Sequence, residues 1–347
     1  MSQFLAEYGL FLAKSLTVLA VVLVIVAAAA GAAGRGRRPG EEGHVTVRRL
    51  NARLEGMRDA LRAAALDNAA LRKLRKVEKR EEKRRRKGRG DAPRRRVFVL
   101  RFDGDLQASG VTALRNEVTA LLTLAEEGDE VVACIESAGG TVHGYGLAAS
   151  QLLRVRAREG VSLTAAVDKV AASGGYLMAC IAPRVLAAPF AILGSIGVVA
   201  QVPNVHRLLK RNDIDVEVLT AGEYKRTLTI FGENTEKGRA KFLAELEDVH
   251  GLFKEFVREH RPVLDVDVVG TGETWYGRHA LEHGLCDELL TSDEYLVRAC
   301  EDADVFEVRW VEHRTPVDRL LHRAASALAD AGERVLGRLG DPRDWTR

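Results

Sequence analysis

The hydrophobic pattern changes character along the chain, and each change predicts a different element. From Ser15 to Gly34, "SLTVLAVVLVIVAAAAGAAG" holds twenty residues without a charge. At 1.5 Å per residue that length matches a hydrocarbon core of about 30 Å and predicts a membrane-spanning helix. The small residues of "AAAAGAAG" also suit a cleaved signal peptide, but the basic stretch that follows disfavours export and favours a retained anchor. Between Leu50 and Leu71 the positions Leu50, Leu54, Met57, Leu61, Ala64, Asn68 and Leu71 step by four and three residues. This is the seam of a short coiled coil with one polar position, and it predicts self-association. A single amphipathic helix lying on the main domain or on the membrane satisfies the same spacing.

From Val97 the texture becomes strand-like. "VFVLRFDGDL", "VVACIES", "SLTAAVD", "RVLAAP" and "VEVLTAG" are short β-rich runs, with helical stretches such as 110–127 and 146–158 between them. Strands alternating with helices predict an α/β domain with a largely parallel sheet buried on both faces. Residues 176–202 are apolar enough for a second span, but Pro183, Arg184, Pro189, Gly194 and Gly197 interrupt them, so helix, strand and turn of a core explain them better. Near the C-terminus Val317, Leu320, Leu321, Ala324, Leu328, Ala331, Val335 and Leu339 fall at helical spacing, an amphipathic helix suited to packing on its own domain or a neighbouring subunit. The chain thus divides into a stub (1–14), a span (15–34), a helical segment with a basic linker (44–96), the α/β domain (97–310) and a C-terminal helix (311–347).

Charge sharpens this division. The chain of 347 residues, 46% hydrophobic, carries a formal net charge of +3. Residues 72–96 alone hold fifteen Lys/Arg against four Asp/Glu, a local +11 that leaves −8 for everything else. Such a collar can meet anionic lipid or remain a solvated linker. With no aromatic residue to stack bases, nucleic acid is disfavoured. Only Lys14 precedes the span, whereas Arg35, Arg37, Arg38, Arg48 and Arg49 follow it, which predicts a single-pass protein of the inner membrane with its body on the cytoplasmic side. The four cysteines, Cys134, Cys180, Cys286 and Cys300, lack ligand spacing and read as buried thiols rather than a metal site or disulfide framework.

Three glycine-containing turns follow predicted strands: "ESAGGTVHGYG", "KVAASGGYLMA" and "ILGSIGVV". Carboxyl ends of parallel strands are where sites are built, and glycine admits close approach of a substrate backbone. Ser173 lies where strand gives way to helix, either as a helix N-cap or as a nucleophile whose oxyanion is held by the amide of Gly174 at a helix start and by Gly139 or Gly140 of the first turn. A nucleophilic serine needs a base. His143 is the best placed histidine, without an obvious carboxylate to orient it, whereas His206, His250, His260, His279 and His283 sit among charged helical residues and read as solvated. The other solution is Lys225, with Tyr224, Leu228, Ile230 and Phe231 around it. Desolvation would have to bring its pKa from about 10.4 to near 7, at roughly 4 kcal/mol.

The residues resemble the signal peptide peptidase A family of membrane serine proteases, and in particular its SohB branch, from the N-terminal anchor to about Leu290. "ESAGGTVHGYG", "DKVAASGGYLMA", "GSIGV", "YKRTLTIFGENTEKGR" and "WYGRHALEHGLCDEL" appear in order. The resemblance implies a Ser/Lys mechanism with Ser173 as nucleophile, Lys225 as general base and Ser195 holding the lysine ammonium, and an oxyanion hole from Gly174 with Gly139 or Gly140. It implies the spiral of ββα units of the Clp protease proteolytic subunit and the enoyl-CoA hydratases, hydrophobic peptide substrates, and no metal or organic cofactor. Ala138 stands where the family usually has proline. The chain has one copy of the core domain rather than a tandem pair, so a complete groove implies a homo-oligomer. Some relatives carry the catalytic domain outside the cytoplasmic membrane, which leaves a periplasmic body as the alternative. A catalytically silent membrane scaffold is the competing function, and acyl-CoA chemistry on the same fold ranks last, because Glu136 has no obvious carboxylate partner.

Overall fold

The structure, a computed structural model, describes residues 43–88 and 94–312 together with Lys14. The expected span at 15–34 and the expected C-terminal helix beyond residue 312 lie outside the described residues. Among the described residues no helix is long and apolar enough to cross a membrane. Val45–Trp310 form one compact unit, and a second grouping, Met1–His44 with Val311–Arg347, falls almost wholly outside the description.

Among the described residues ten strands alternate with helices. In chain order they are β1 (Gly43–Arg49), β2 (Arg96–Gly104), β3 (Glu130–Ser137), β4 (Ser162–Val167), β5 (Val170–Ala172), β6 (Arg184–Ala187), β7 (Ile192–Gly194), β8 (Thr274–Tyr276), β9 (Glu288–Leu289) and β10 (Asp304–Glu312). The main path runs β1-β10-β2-β3-β4-β6-β9, with β5, β7 and β8 branching from the end of β3. The pairings from β10 through β9 and from β3 through β7 are parallel, whereas β7 and β8 are antiparallel.

The helices are α1 (Leu50–Ala65), α2 (Asn68–Gly88), α3 (Val111–Leu122), α4 (Val142–Arg156), α5 (Gly174–Ala179), α6 (His206–Arg211), α7 (Glu236–His260), α8 (Val266–Val269), α9 (Gly277–Glu282) and α10 (Ser292–Asp302). The sheet is buried on both faces, as its near-continuous apolar strands require. Phe98, Leu100, Phe102, Val131, Ala133 and Ile135 pack against the α3–α5 side. Val97, Val99, Val132 and Cys134 meet Leu50, Leu296 and Ala299 on the other.

Several expectations are corrected. The seam of residues 50–71 does not lie on one helix: α1 ends at Ala65 and α2 begins at Asn68. The break is local chemistry, because the Asp67 carboxylate accepts the Ala70 amide at 2.7 Å and starts a new helix. Met57 and Leu61 are exposed rather than packed on a neighbouring helix of this chain. Ahead of α1 the unforeseen β1 borders β10, and Arg48 and Arg49 bind Glu307 and Asp304 at 3.0 and 2.7 Å. "VEVLTAG" forms no strand; Val216, Val218 and Leu219 are exposed in a stretch without regular structure. Residues 176–202 do form helix, strand and turn of the core, through α5, β6 and β7. Cys134, Cys180 and Cys286 are buried and Cys300 is half-buried. Burial pushes the Cys134 and Cys286 thiols up to about 11 and that of Cys180 to about 12.

Asn51 is the polar pin of α1. Buried against α10 and β10, it donates to the carbonyls of Cys300 and Ala303 at 3.1 and 2.9 Å and accepts the Val305 amide at 2.8 Å. Asn51→Ala strands three main-chain groups, one of them a buried amide, so we expect a loss of about 3 kcal/mol of stability. Thermal unfolding of the purified chain should show a midpoint lowered by roughly 10 °C.

Candidate active site

The site is built where β3, β5 and β7 end side by side. The main sheet changes partner along β3: residues Glu130–Cys134 pair with β4, but Ser137 pairs with Ala171 of β5. The chain makes this switch at Asp168–Lys169, between β4 and β5. The Asp168 carboxylate is held by the amide of Ser292 at 2.7 Å and by its hydroxyl at 2.5 Å, and the Lys169 carbonyl accepts the Ile192 amide at 2.8 Å. Ser173 therefore follows the three-residue β5 and not the longer strand before it. β5 and β7 run in register with Ala172 opposite Gly194, so Ser173 and Ser195 occupy equivalent places on strands about 4.8 Å apart.

Both serines adopt a left-handed backbone, each with φ of 52°. For a non-glycine residue this costs about 1–3 kcal/mol and persists only when the surroundings fix it. They do: the Ser173 amide donates to the Gly194 carbonyl at 2.8 Å, its carbonyl accepts the Leu177 amide at 2.9 Å, and the Ser195 amide donates to the Glu273 carbonyl at 2.6 Å. His250 secures the second turn, its Nε2 lying 3.1 Å from the Ile196 carbonyl and 2.8 Å from that of Gly270. This histidine is half-buried and structural, which corrects its expected place on a solvated face. Ser173 stands at the N-cap position of α5, as expected, but its side chain makes no capping hydrogen bond. A sharp strand-to-helix turn with small neighbours is the backbone form that exposes a nucleophilic hydroxyl.

The small neighbours are required by contact. A Cβ on Gly174 would lie 2.3 Å from the Tyr145 ring, and one on Gly175 would lie 2.5 Å from the Ser137 carbonyl. Gly139, with φ of 94°, closes on the serine turn: its Cβ would lie 2.7 Å from Ser173 Cβ and 2.9 Å from the Gly174 nitrogen. Gly140 abuts Leu106, whose carbonyl would be 2.2 Å from an added Cβ. Of the two candidate donors on this turn, the Gly139 amide is already spent on Ser137 Oγ at 3.0 Å. Among the described residues the amides of Gly140 and Gly174 have no acceptor.

Lys225 is joined to this cluster by no hydrogen bond among the described residues. It is exposed, in a stretch without helix or strand between α6 and α7, and its only hydrogen bond among the described residues joins its amide to the Gly222 carbonyl at 3.2 Å. Tyr224, Ile230 and Phe231, expected to desolvate it, are themselves exposed. His143 is exposed near the start of α4. Glu136 pairs with Lys169 at 2.8 Å. Residues absent from the sequence expectations are Ser137 and Tyr145 beneath the glycine turn, and Glu273 beside Ser195. Ser137 two positions before a Gly–Gly pair and Tyr145 between two glycines were the available signals.

Strand ends that set a serine turn beside a glycine turn with a free amide fit a hydrolase, and the chain belongs to peptidase family S49. Residues 3–152 match the family's N-terminal region (Peptidase family S49 N-terminal) and residues 156–306 match Peptidase family S49 itself. Within that family the similarity is to the SohB branch. The chain is 45% identical over 320 residues to the probable protease SohB of Haemophilus influenzae, covering 89% of this chain and 90% of that one. It is 50% identical over 226 residues to the probable protease SohB of Buchnera aphidicola subsp. Acyrthosiphon pisum, covering 65% and 67%.

The contacts of Gly139 lead to a prediction. Gly139→Ala forces a side chain against Ser173 at a backbone angle that alanine avoids. We expect peptide hydrolysis to fall by about 100-fold or more while far-UV circular dichroism keeps its native shape.

Proposed function

We propose that the chain is a membrane-anchored serine endopeptidase that hydrolyses hydrophobic peptides, such as signal-peptide remnants or membrane-protein fragments, by a Ser/Lys mechanism. The observation that carries this reading is the pair of strained serine turns in register, with Ser173 facing a glycine turn that has a free amide. In the reaction Ser173 Oγ bonds to the peptide carbonyl carbon and its proton passes to the neutral Lys225 amine. The oxyanion is held by the amides of Gly174 and Gly140, Gly139 being occupied. Collapse breaks the C–N bond, and the lysine proton goes to the departing amine. Water then attacks the acyl-enzyme, giving a proton to Lys225, which returns one to Ser173 Oγ as the acid leaves. Ser195, level with Ser173, orients the ammonium.

The lysine needs a second condition, since its segment is open in the single chain. Leu219, Tyr224, Ile230 and Phe231 are exposed there, and Leu219 is 88% exposed. Covering this apolar surface with a neighbouring copy would desolvate Lys225 and close the groove, which is the homo-oligomer that the single core domain calls for. The branching of β5 and β7 from the main sheet supports the finer fold reading, a Clp protease and enoyl-CoA hydratase type of spiral. A silent scaffold has no use for two strained serines, whose cost needs a functional return.

The anchor is the apolar run 15–34, single-pass in the inner membrane, with the catalytic domain cytoplasmic and a periplasmic placement as the alternative. Arg48 and Arg49 are engaged with β10, so the charge bias rests on Arg35, Arg37, Arg38 and the basic segment 72–96.

Three measurements test this function. Ser173→Ala and Lys225→Ala, and equally Lys225→Arg, should each lower cleavage of a hydrophobic peptide by more than about 1000-fold, and a fluorophosphonate should label Ser173 in the unmodified chain. Undiminished cleavage in any of these variants overturns the dyad. Protease added to intact spheroplasts should leave the body undigested, and digestion from outside would reverse the assigned side.

A further inference from the structure

Beneath the glycine turn runs a chain of hydrogen bonds whose direction is fixed by its ends. The Gly139 amide can only donate, and it meets Ser137 Oγ at 3.0 Å. The Asp105 carbonyl can only accept, and it lies 2.8 Å from the Tyr145 hydroxyl. The two hydroxyls are 2.5 Å apart. Each carries one proton, so Tyr145 donates to Asp105, Ser137 donates to Tyr145, and Gly139 donates to Ser137. The chain is saturated and every dipole points the same way, an arrangement in which each bond strengthens the next. Tyr145 is fully buried and burial pushes its phenol up, so the hydroxyl keeps its proton.

The same tyrosine bears on both donor turns of the site. Its hydroxyl reaches the glycine turn through Ser137, while its ring lies so close to Gly174 that no side chain fits there. The Asp105 end is also anchored. The Asp105 carboxylate takes the amide and hydroxyl of Ser109 at 2.8 and 2.7 Å, and these bonds, the amide first, hold its carboxyl below the usual range. From that loop the Leu106 carbonyl accepts the Thr141 amide at 2.8 Å. The glycine turn is thus tied on both sides of Gly140, at Gly139 and at Thr141, and the amide between the two ties is left without a partner.

We propose that Tyr145, acting through Ser137, is a positioning residue for the oxyanion hole: it sets the spacing of the Gly140 and Gly174 amides and keeps Gly139 from competing as a donor. This rests on the Ser/Lys reading given above, and the two can fail separately.

The test is a double-variant cycle on the full-length, detergent-solubilised protein with a fluorogenic hydrophobic peptide. Tyr145→Phe keeps the ring on Gly174 and removes the hydroxyl; Ser137→Ala removes the acceptor of the Gly139 amide. Each should lower kcat by about 10- to 100-fold with KM within about twofold, and weaken a peptide aldehyde by the same factor as kcat/KM. The double variant should lose no more than the worse single one, because both break one chain. Asn51→Ala, which weakens the fold far from the site, should leave kcat unchanged. If Ser137→Ala does not fold, the kcat and aldehyde measurements on Tyr145→Phe decide alone. Unchanged kcat, a rise confined to KM, or losses that add in the double variant would overturn the relay. Absence of any Ser173-dependent cleavage in the unmodified protein would instead overturn the mechanism on which it rests.

Discussion

The hydrogen bond from the Ser173 amide to the Gly194 carbonyl, at 2.8 Å, is the constraint on which the site depends. It continues the pairing of β5 with β7 one step past the last strand residue, into a turn that leaves the β region. Without it Ser173 has little reason to hold φ of 52°, since the relaxed alternative is worth about 1–3 kcal/mol. With it, the turn that exposes one serine is referenced to the turn that exposes the other. The sheet around them supplies the rigidity, being buried on both faces and parallel through its centre.

This arrangement explains why so many small residues gather here. Gly139, Gly140, Gly174 and Gly175 each have a neighbour within 3 Å of where a side chain would start, and those neighbours belong to four different segments: the Ser173 turn, the loop at Leu106, α4 at Tyr145 and the end of β3. Close approach of backbones is what brings amides from separate strand ends to one place. The apolar core cannot do this by itself, because hydrophobic packing has no direction; the direction comes from the hydroxyl chain and the main-chain bonds laid on top of it.

How much of this was legible in the sequence follows from the same physics. The long strands β2, β3 and β4 were visible because each buries both faces and so reads as a continuous apolar run. β5 and β7 were not, because "VAA" and "ILG" are too short to carry a period, and their identity as strands comes from the partner beside them. The reverse error at "VEVLTAG" has the same cause: the local preference was there and the partner was not. The repeat through residues 50–71 had the right spacing for a seam, yet Asp67 satisfied a helix start in its middle. Ser173, Ser195 and the glycines were legible as candidates, but the choice between Gly139 and Gly140 needed the hydroxyl of Ser137, which only the fold brings to the Gly139 amide.

The two halves of the proposed catalytic apparatus are unequal in this respect. The nucleophile and oxyanion half rests on strand ends, buried tyrosine and three anchored turns. The base half, Lys225, sits in a stretch without regular structure whose apolar residues face outward. The proposed mechanism asks Lys225 to work away from bulk water, and its exposed position in the single chain does not provide that. On that proposal activity depends on what covers the segment, and a second copy of the chain would bring exposed apolar surface of its own to it. On the proposed reading such a division would confine peptide cleavage to an assembled form and leave a single chain with a formed but unprimed nucleophile.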